Sequence, residues 1–141
     1  MAKTRKVWTV VAAGVLAGGI STGIAWAGGP PGMVQEDISV AVGTGSFAGS
    51  IAGFTATGAT NDEASANVIA ACQAAGGVDC TADEVTNDNL CIVSVVSDDT
   101  DVVSGGAGPT IEAARQDALN RAIANGTPEG TDARVLVSAC P

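Results

Sequence analysis

The chain has 141 residues, with 15 Asp and Glu against six Lys and Arg, no His and no Tyr, for a formal charge of −9. Such a polyanion lacks the basic surface that phosphate backbones require, which excludes nucleic acid as a partner. The absence of His excludes imidazole catalysis, and no Lys follows Lys6 to serve as a Schiff-base or general-base amine.

The first element is an address. Lys3, Arg5 and Lys6 form a positive start, Val7 to Ile24 is an apolar run, and Ala25-Trp26-Ala27 is a small-x-small cleavage signal. This predicts a signal peptide over residues 1–27, cleaved after Ala27, and a secreted product. The alternative keeps residues 7–27 as a membrane anchor, because about 20 apolar residues can span a bilayer. Thr4-Arg5-Lys6 has no twin arginine, which favours general secretion, and no Cys near the cleavage point offers a lipid anchor.

Removal of the leader changes the composition. Arg115, Arg121 and Arg134 remain against all 15 acids, a balance of −12, and Trp8 and Trp26 are lost. The 114 residues left are expected to open with a flexible segment over 28–35, begun by Gly28-Gly29-Pro30-Pro31, and to form a single domain over 36–141. Phe47 and Phe54 are its only aromatics. A core of Val, Ile, Leu and Ala, at ~25 cal/mol per Å² buried, is thin and gains from covalent staples.

Asp37 to Val42 alternates polar and apolar and predicts a strand. Gly43-Thr44-Gly45-Ser46 is expected to turn, and Ser50 to Thr55 to return as a second strand. Thr60-Asn61-Asp62-Glu63 is a capping box that opens a helix to about Ala75. Ala64, Val68, Ala71 and Cys72 share its apolar face, and Gly76-Gly77 ends it. Cys80 to Val85 and Leu90 to Ser97 read as a hairpin around Thr86-Asn87-Asp88-Asn89. Val102 to Ser104 is a short strand, and Gly105-Gly106-Ala107-Gly108 a flexible loop. Thr110 caps a second helix whose apolar face is Ile111, Ala114, Ala118 and Ala122, with Leu119 and Ile123 flanking. Asp117 and Arg121 form an i,i+4 pair on its wet side. Asn125-Gly126 stops it, and Arg134 to Ser138 is the last strand.

An internal repeat underlies this order. Shifting residues 58–76 by fifty positions aligns Gly58 with Gly108, Thr60 with Thr110, Ala64 with Ala114, Ala74 with Ala124 and Gly76 with Gly126. The expected fold is therefore α+β: a small antiparallel-rich sheet with two helices on one face, built as two strand–strand–helix–strand repeats over about 36–90 and 91–140, and stapled by disulfides.

Cys72, Cys80, Cys91 and Cys140 are an even set in an exported domain, which predicts two disulfides. Metal ligation is disfavoured by the absence of C-x-x-C spacing and of His. Three connectivities are open. The repeat selects among them. Cys72 and Cys80 fall on Ala122 and about Gly130 in the second copy, so both are lost together, as a bonded pair would be. Cys91 and Cys140 occupy near-equivalent ends of the two copies. The preference is Cys72–Cys80 with Cys91–Cys140; the rival is Cys80–Cys91 across a hairpin with Cys72–Cys140.

At these residues the chain resembles the domain-of-unknown-function 4189 family of small secreted actinobacterial proteins, as a divergent member. Glu63-Ala64, Val68-Ile69 and Cys72, followed by Cys80 and Cys91, match its capped Ala-rich helix with a loop and a strand cysteine; Ala114, Ala118-Leu119 and Cys140 match the second copy. The second copy lacks the helix and loop cysteines, and the Trp residues of the family's Gly-rich loops are missing. The resemblance implies secretion and disulfides. It implies no defined activity and supplies no catalytic residue.

Candidate sites are sparse. Asp98, Asp99 and Asp101 could offer oxygens to calcium, although no EF-hand pattern accompanies them and a solvated hairpin tip is the simpler reading. Asp83-Glu84 beside Asn87-Asp88-Asn89 reads as turn chemistry. Gly105 to Gly108 lacks the lysine of a phosphate loop. Asn125-Gly126-Thr127 matches a glycosylation acceptor but reads better as a helix end. Ser46, Ser65 and Ser104 have no His to activate them. No catalytic, cofactor-binding or metal residue is therefore assigned, and no cofactor is expected. The expectation is a secreted, non-enzymatic acidic protein that binds a host or cell-envelope partner, with charge favouring a basic one. A membrane-retained envelope component, a small carboxylate- or metal-dependent enzyme, and an inhibitor are the alternatives.

Overall fold

In a computed structural model the described residues are 6–8 and 38–141. Most of the expected leader, its cleavage point and the 28–35 segment lie outside them. The elements are β1 (Lys6–Trp8), β2 (Ser39–Phe47), β3 (Ser50–Gly58), α1 (Asn61–Ala74), β4 (Val78–Thr86), β5 (Cys91–Ser97), β6 (Val102–Gly108), α2 (Ile111–Ala124) and β7 (Arg134–Ala139).

Two strand–strand–helix–strand modules are present, as the repeat predicts. Their strands form two sheets instead of one: β3-β2-β4, with β1 parallel on the outer edge of β3, and β6-β5-β7. Every pairing within a module is antiparallel. The sheets stack face to face, with β3 over β7, β2 over β5 and β4 over β6. Exchange of the modules maps the β3–β7 contact onto the β6–β4 contact, an approximate two-fold relation. The helices do not share one face; each covers the outer face of its own sheet.

Strand alternation sets these layers. Ala41, Ala52 and Phe54 turn outward to meet Ala64, Val68 and Cys72 of α1. Val93 and Val95 turn outward to meet Ala114 and Ala118 of α2. Between the sheets, Val42 packs with Ile92 and Val137, and Ile51 with Val96 and Leu136. Phe54 is fully buried, with the Phe47 ring centroid 6.1 Å away.

The capping residues act as the sequence predicts. Thr60 Oγ1 accepts from Glu63 N at 3.1 Å, and Thr110 Oγ1 from Ala113 N at 3.0 Å. Glu63 reaches back one residue further than a standard box, to Ala59 N at 2.5 Å. Gly76 and Gly126 end the helices at φ 94° and 80°, where a side chain would be strained.

Four local expectations are corrected. Gly43 to Ser46 continues β2, and the turn falls at Ala48-Gly49. Gly43 and Gly45 are needed beneath α1, where an added Cβ would meet Thr81 O and Cys72 Sγ. Gly105 to Gly108 is strand β6, because its glycines admit α2: a Cβ on Gly108 would lie 2.8 Å from Ala114 N. β4 and β5 are not a hairpin; they belong to different sheets, and residues 87–90 join the modules. Ile111 is 43% exposed and Ile123 64%, so the buried stripe of α2 is Ala114, Ala118 and Ala122 alone.

Both preferred disulfides are present. Cys72–Cys80 ties the end of α1 to β4, and Cys91–Cys140 closes β5 onto the end of β7, with Cα separations of 5.9 and 4.1 Å. The rival pairing fails with the hairpin that would have carried it.

A non-reducing peptide map should link Cys72 to Cys80 and Cys91 to Cys140. Replacing Cys91 and Cys140 by Ser should cost about 4 kcal/mol and replacing Cys72 and Cys80 about 2.5 kcal/mol, following loop length. Phe54→Ala should cost about 3–5 kcal/mol in denaturant melts, because no other aromatic can refill its site.

Candidate functional site

A concavity lies where β2 begins and β3, β4 and β7 end. It is a cleft of about 550 Å³. Ile38, Val40, Leu90 and Ala139 give it an apolar lining, with Thr57, Thr86, Asn87 and Asn89 at hand for hydrogen bonds. The Cys91–Cys140 bridge anchors one wall through Cys140. The loop is held by Thr86 Oγ1, which accepts from Asp88 N at 3.0 Å, and by Asn89 in the left-handed region at φ 59°. Asn tolerates that conformation better than most residues. No ionisable side chain lines the cleft, and its one cysteine is in a disulfide. It is built to hold an uncharged or apolar group by shape and hydrogen bonds. Its walls come from four separate segments with no shared motif, so no sequence pattern announces it.

The acidic residues are arranged differently from the calcium reading. Asp98 pairs with Arg134 at 3.1 Å. The turn after β5 is organised by a residue no motif singled out, Asp132. Its carboxylate accepts from Ser97 Oγ at 2.6 Å, Asp98 N at 2.9 Å and Asp99 N at 3.2 Å. The Ser97 hydroxyl, aided by those amides, holds the Asp132 carboxyl below the usual carboxylate range. Nearby Glu129 is pushed the other way, first by desolvation and then by the Asp132 charge, against a lowering contact with Ser104. Among the described residues, no three Asp, Glu, Cys or His side chains converge as a metal site requires.

Asp83 and Glu84 lie in β4, not in a turn. The ladder with β2 slips between Val42 and Gly43, so Asp83 is the extra residue of a bulge. Its carboxylate enters the space between the sheets, bonded to Ser94 Oγ at 2.7 Å and Thr81 Oγ1 at 2.7 Å. Burial raises its pKa, and the hydroxyls of Thr81, Ser94 and Thr44 oppose the shift. Glu84 meets Arg121 at 2.6 Å, and Arg121 also holds Asp117 at 2.7 Å, so the expected helix pair is one half of a three-residue bridge. These contacts join the modules. Asn125 caps α2 and Gly126 follows it, as a helix end requires. Ser46, Ser65 and Ser104 are scattered over β2, α1 and β6.

The pH dependence has two signs. Ionised Asp132 stabilises the fold above the ordinary carboxylate pKa, and this is lost as pH falls through its lowered value. Glu129, raised, favours the fold at low pH and loses that contribution as pH rises through its own value. Asp132→Asn should therefore lower the melting temperature at neutral pH and flatten the acid limb, while Glu129→Gln should not lower it at neutral pH. Calcium should leave the parent melting temperature unchanged; a rise would restore the cation reading.

No curated protein and no solved structure matches the chain. One family model does, that of domain of unknown function DUF4189, over residues 38–140. The match spans both modules and both disulfides, and the chain belongs to the DUF4189 family.

Proposed function

We propose that this chain is the precursor of a secreted, non-enzymatic binding protein whose residues 1–27 are removed. The observation that carries the reading is the chemistry of the cleft. In a chain with 15 acids, this cleft is lined by no acidic or basic side chain and no free thiol. Such a surface suits recognition by shape and hydrogen bonds better than proton transfer, for which acidic or basic side chains are the usual groups. The two disulfides fit an oxidising destination. Among the described residues no helix is long and apolar enough to cross a membrane. The excess of acid over the domain as a whole favours a basic host or cell-envelope partner, met by long-range attraction and seated through uncharged contacts.

The leader reading is tested by expression in a secreting bacterial host. Culture filtrate should contain a chain beginning at Gly28. A chain beginning at Met1 in the membrane pellet would replace it with the anchored envelope component. Binding to a cationic protein should weaken steadily between ~0.02 and ~0.5 M salt, as screened attraction does. Affinity that ignores salt would overturn the electrostatic part.

A further inference from the structure

The outer edges of the two sheets are not equally protected. In each module the helix clips the second strand near its end. Asn67 Nδ2 donates to Thr57 O at 2.8 Å, and at the equivalent place Ala107 N donates to Asp117 Oδ2 at 3.0 Å. The residue pairs are related by the same fifty-residue shift. Thr57 thus turns its backbone groups to the outer edge of β3. The β2–β3 ladder is regular from Ser39 to Phe47, so Thr55, Gly53 and Ile51 turn theirs the same way.

Nothing guards the start of that edge. β3 carries no charge and no proline over its nine residues, and the turn before it is Ala48-Gly49. Two of the other outer strands, β4 and β7, are blunted along their length in the ways that deter pairing. β4 carries Asp79, Asp83, Glu84 and a bulge, and β7 has Arg134 and a bulge. β6 is itself free of charge, proline and bulge, and differs from β3 at its start, two residues later in the repeat register and behind a tip that holds Asp98, Asp99 and Asp101.

The unguarded stretch is where β1 pairs. Lys6–Trp8 runs parallel to Ser50–Ala52, with Val7 opposite Ile51. This segment belongs to the most basic part of the sequence, whereas residues 38–141 hold three Arg against 13 acids. We propose that the outer edge of β3 over Ser50–Gly53 is an acceptor for an extended, cationic polypeptide segment, which the chain's own Lys6–Trp8 fills before the leader is removed and which a partner fills afterwards. The second half of this statement rests on the proposed removal of residues 1–27. The mode is strand addition: backbone hydrogen bonds supply the pairing, and the charge of the domain selects basic sequences.

Amide hydrogen exchange on the full chain tests it. Ile51 should be protected in the parent. In parallel pairing Ile51 bonds to the two residues flanking Val7, so Trp8→Pro removes a donor and should expose Ile51 by about tenfold or more. Val68 and Val95 should keep their protection, which shows that the variant is folded. A synthetic peptide of residues 4–11 added to the Trp8→Pro chain should restore protection at Ile51, less so at high salt. The same peptide N-methylated at the Trp8 amide should not. Ile51 equally exposed in parent and variant, or a peptide that protects only the cleft or the β4 edge, overturns the proposal. Protection that returns with protein concentration alone also overturns it, in favour of pairing between copies. Export is read separately: a retained Met1 removes the leader reading and leaves the exchange result standing.

Discussion

Close approach of each helix to its sheet is the contact on which the rest of the structure depends. With two aromatics in the domain, large side chains cannot fill the space between layers, so the layers come together instead. The modules achieve this with opposite distributions of bulk. In the first, the central strand is reduced to Gly43 and Gly45, and α1 supplies Val68 and the Cys72 sulfur. In the second, the central strand carries Val93 and Val95, and α2 presents Ala114, Ala118 and Ala122 over the glycines of β6. Total volume is kept while its source moves between helix and sheet, the kind of exchange that packed cores tolerate. Gly58 and Gly108 serve both copies alike, since a Cβ at either would strike the first turn of the helix, 2.5 and 2.8 Å from Ala64 N and Ala114 N.

Once each helix is seated, one face of each sheet remains uncovered, and the two faces cover each other. The bulge positions show how this interface diverged. Asp83 is the extra residue in β4, and Leu136 is the extra residue at the matching place in β7. Both enter the space between the sheets. Leu136 joins Ile51 and Val96 in an apolar contact, whereas Asp83 meets Ser94 and the threonines. One half of the interface is therefore oily and the other hydrogen-bonded. The carboxylate brings a desolvation cost, and the Glu84–Arg121–Asp117 bridge beside it fixes the same edge with charges that stay partly in water.

The repeat was the most legible part of the sequence. It carried the helix caps, the buried alanines, the closing glycines and the disulfide pairing, all of which depend on local spacing. At Gly43 to Ser46 and Gly105 to Gly108 glycine reads as a turn or loop signal, but tertiary packing requires it inside strands. The division into two sheets was not legible, because strand propensity does not say which strands pair. Nor was the cleft, assembled from four segments, or the role of Asp132, a single carboxylate remote in sequence from the turn it holds. Ile111 has helical spacing with Ala114 and Ala118, yet only alanine fits beneath the helix, so the larger residue stays at the rim.

Duplication makes the contrast between the copies informative. Equivalent positions face similar geometric demands, so a difference that packing does not explain calls for another reason. Both second strands are clipped at their ends by the helix above, through Asn67 in one copy and Asp117 in the other. Both hairpins need a tight turn. The second copy places carboxylates at that turn and fixes them with Asp132 and Arg134; the first uses Ala48-Gly49, lengthens the strand beyond it and leaves its backbone uncharged. A strand edge with no charge, proline or bulge is a hazard for pairing with other chains. β6 shares that lack along its own length, so what sets the first copy apart is the start of its edge, which has no acidic tip; in a domain with excess acid, this points to an edge at Ser50–Gly53 open to a chain of opposite charge.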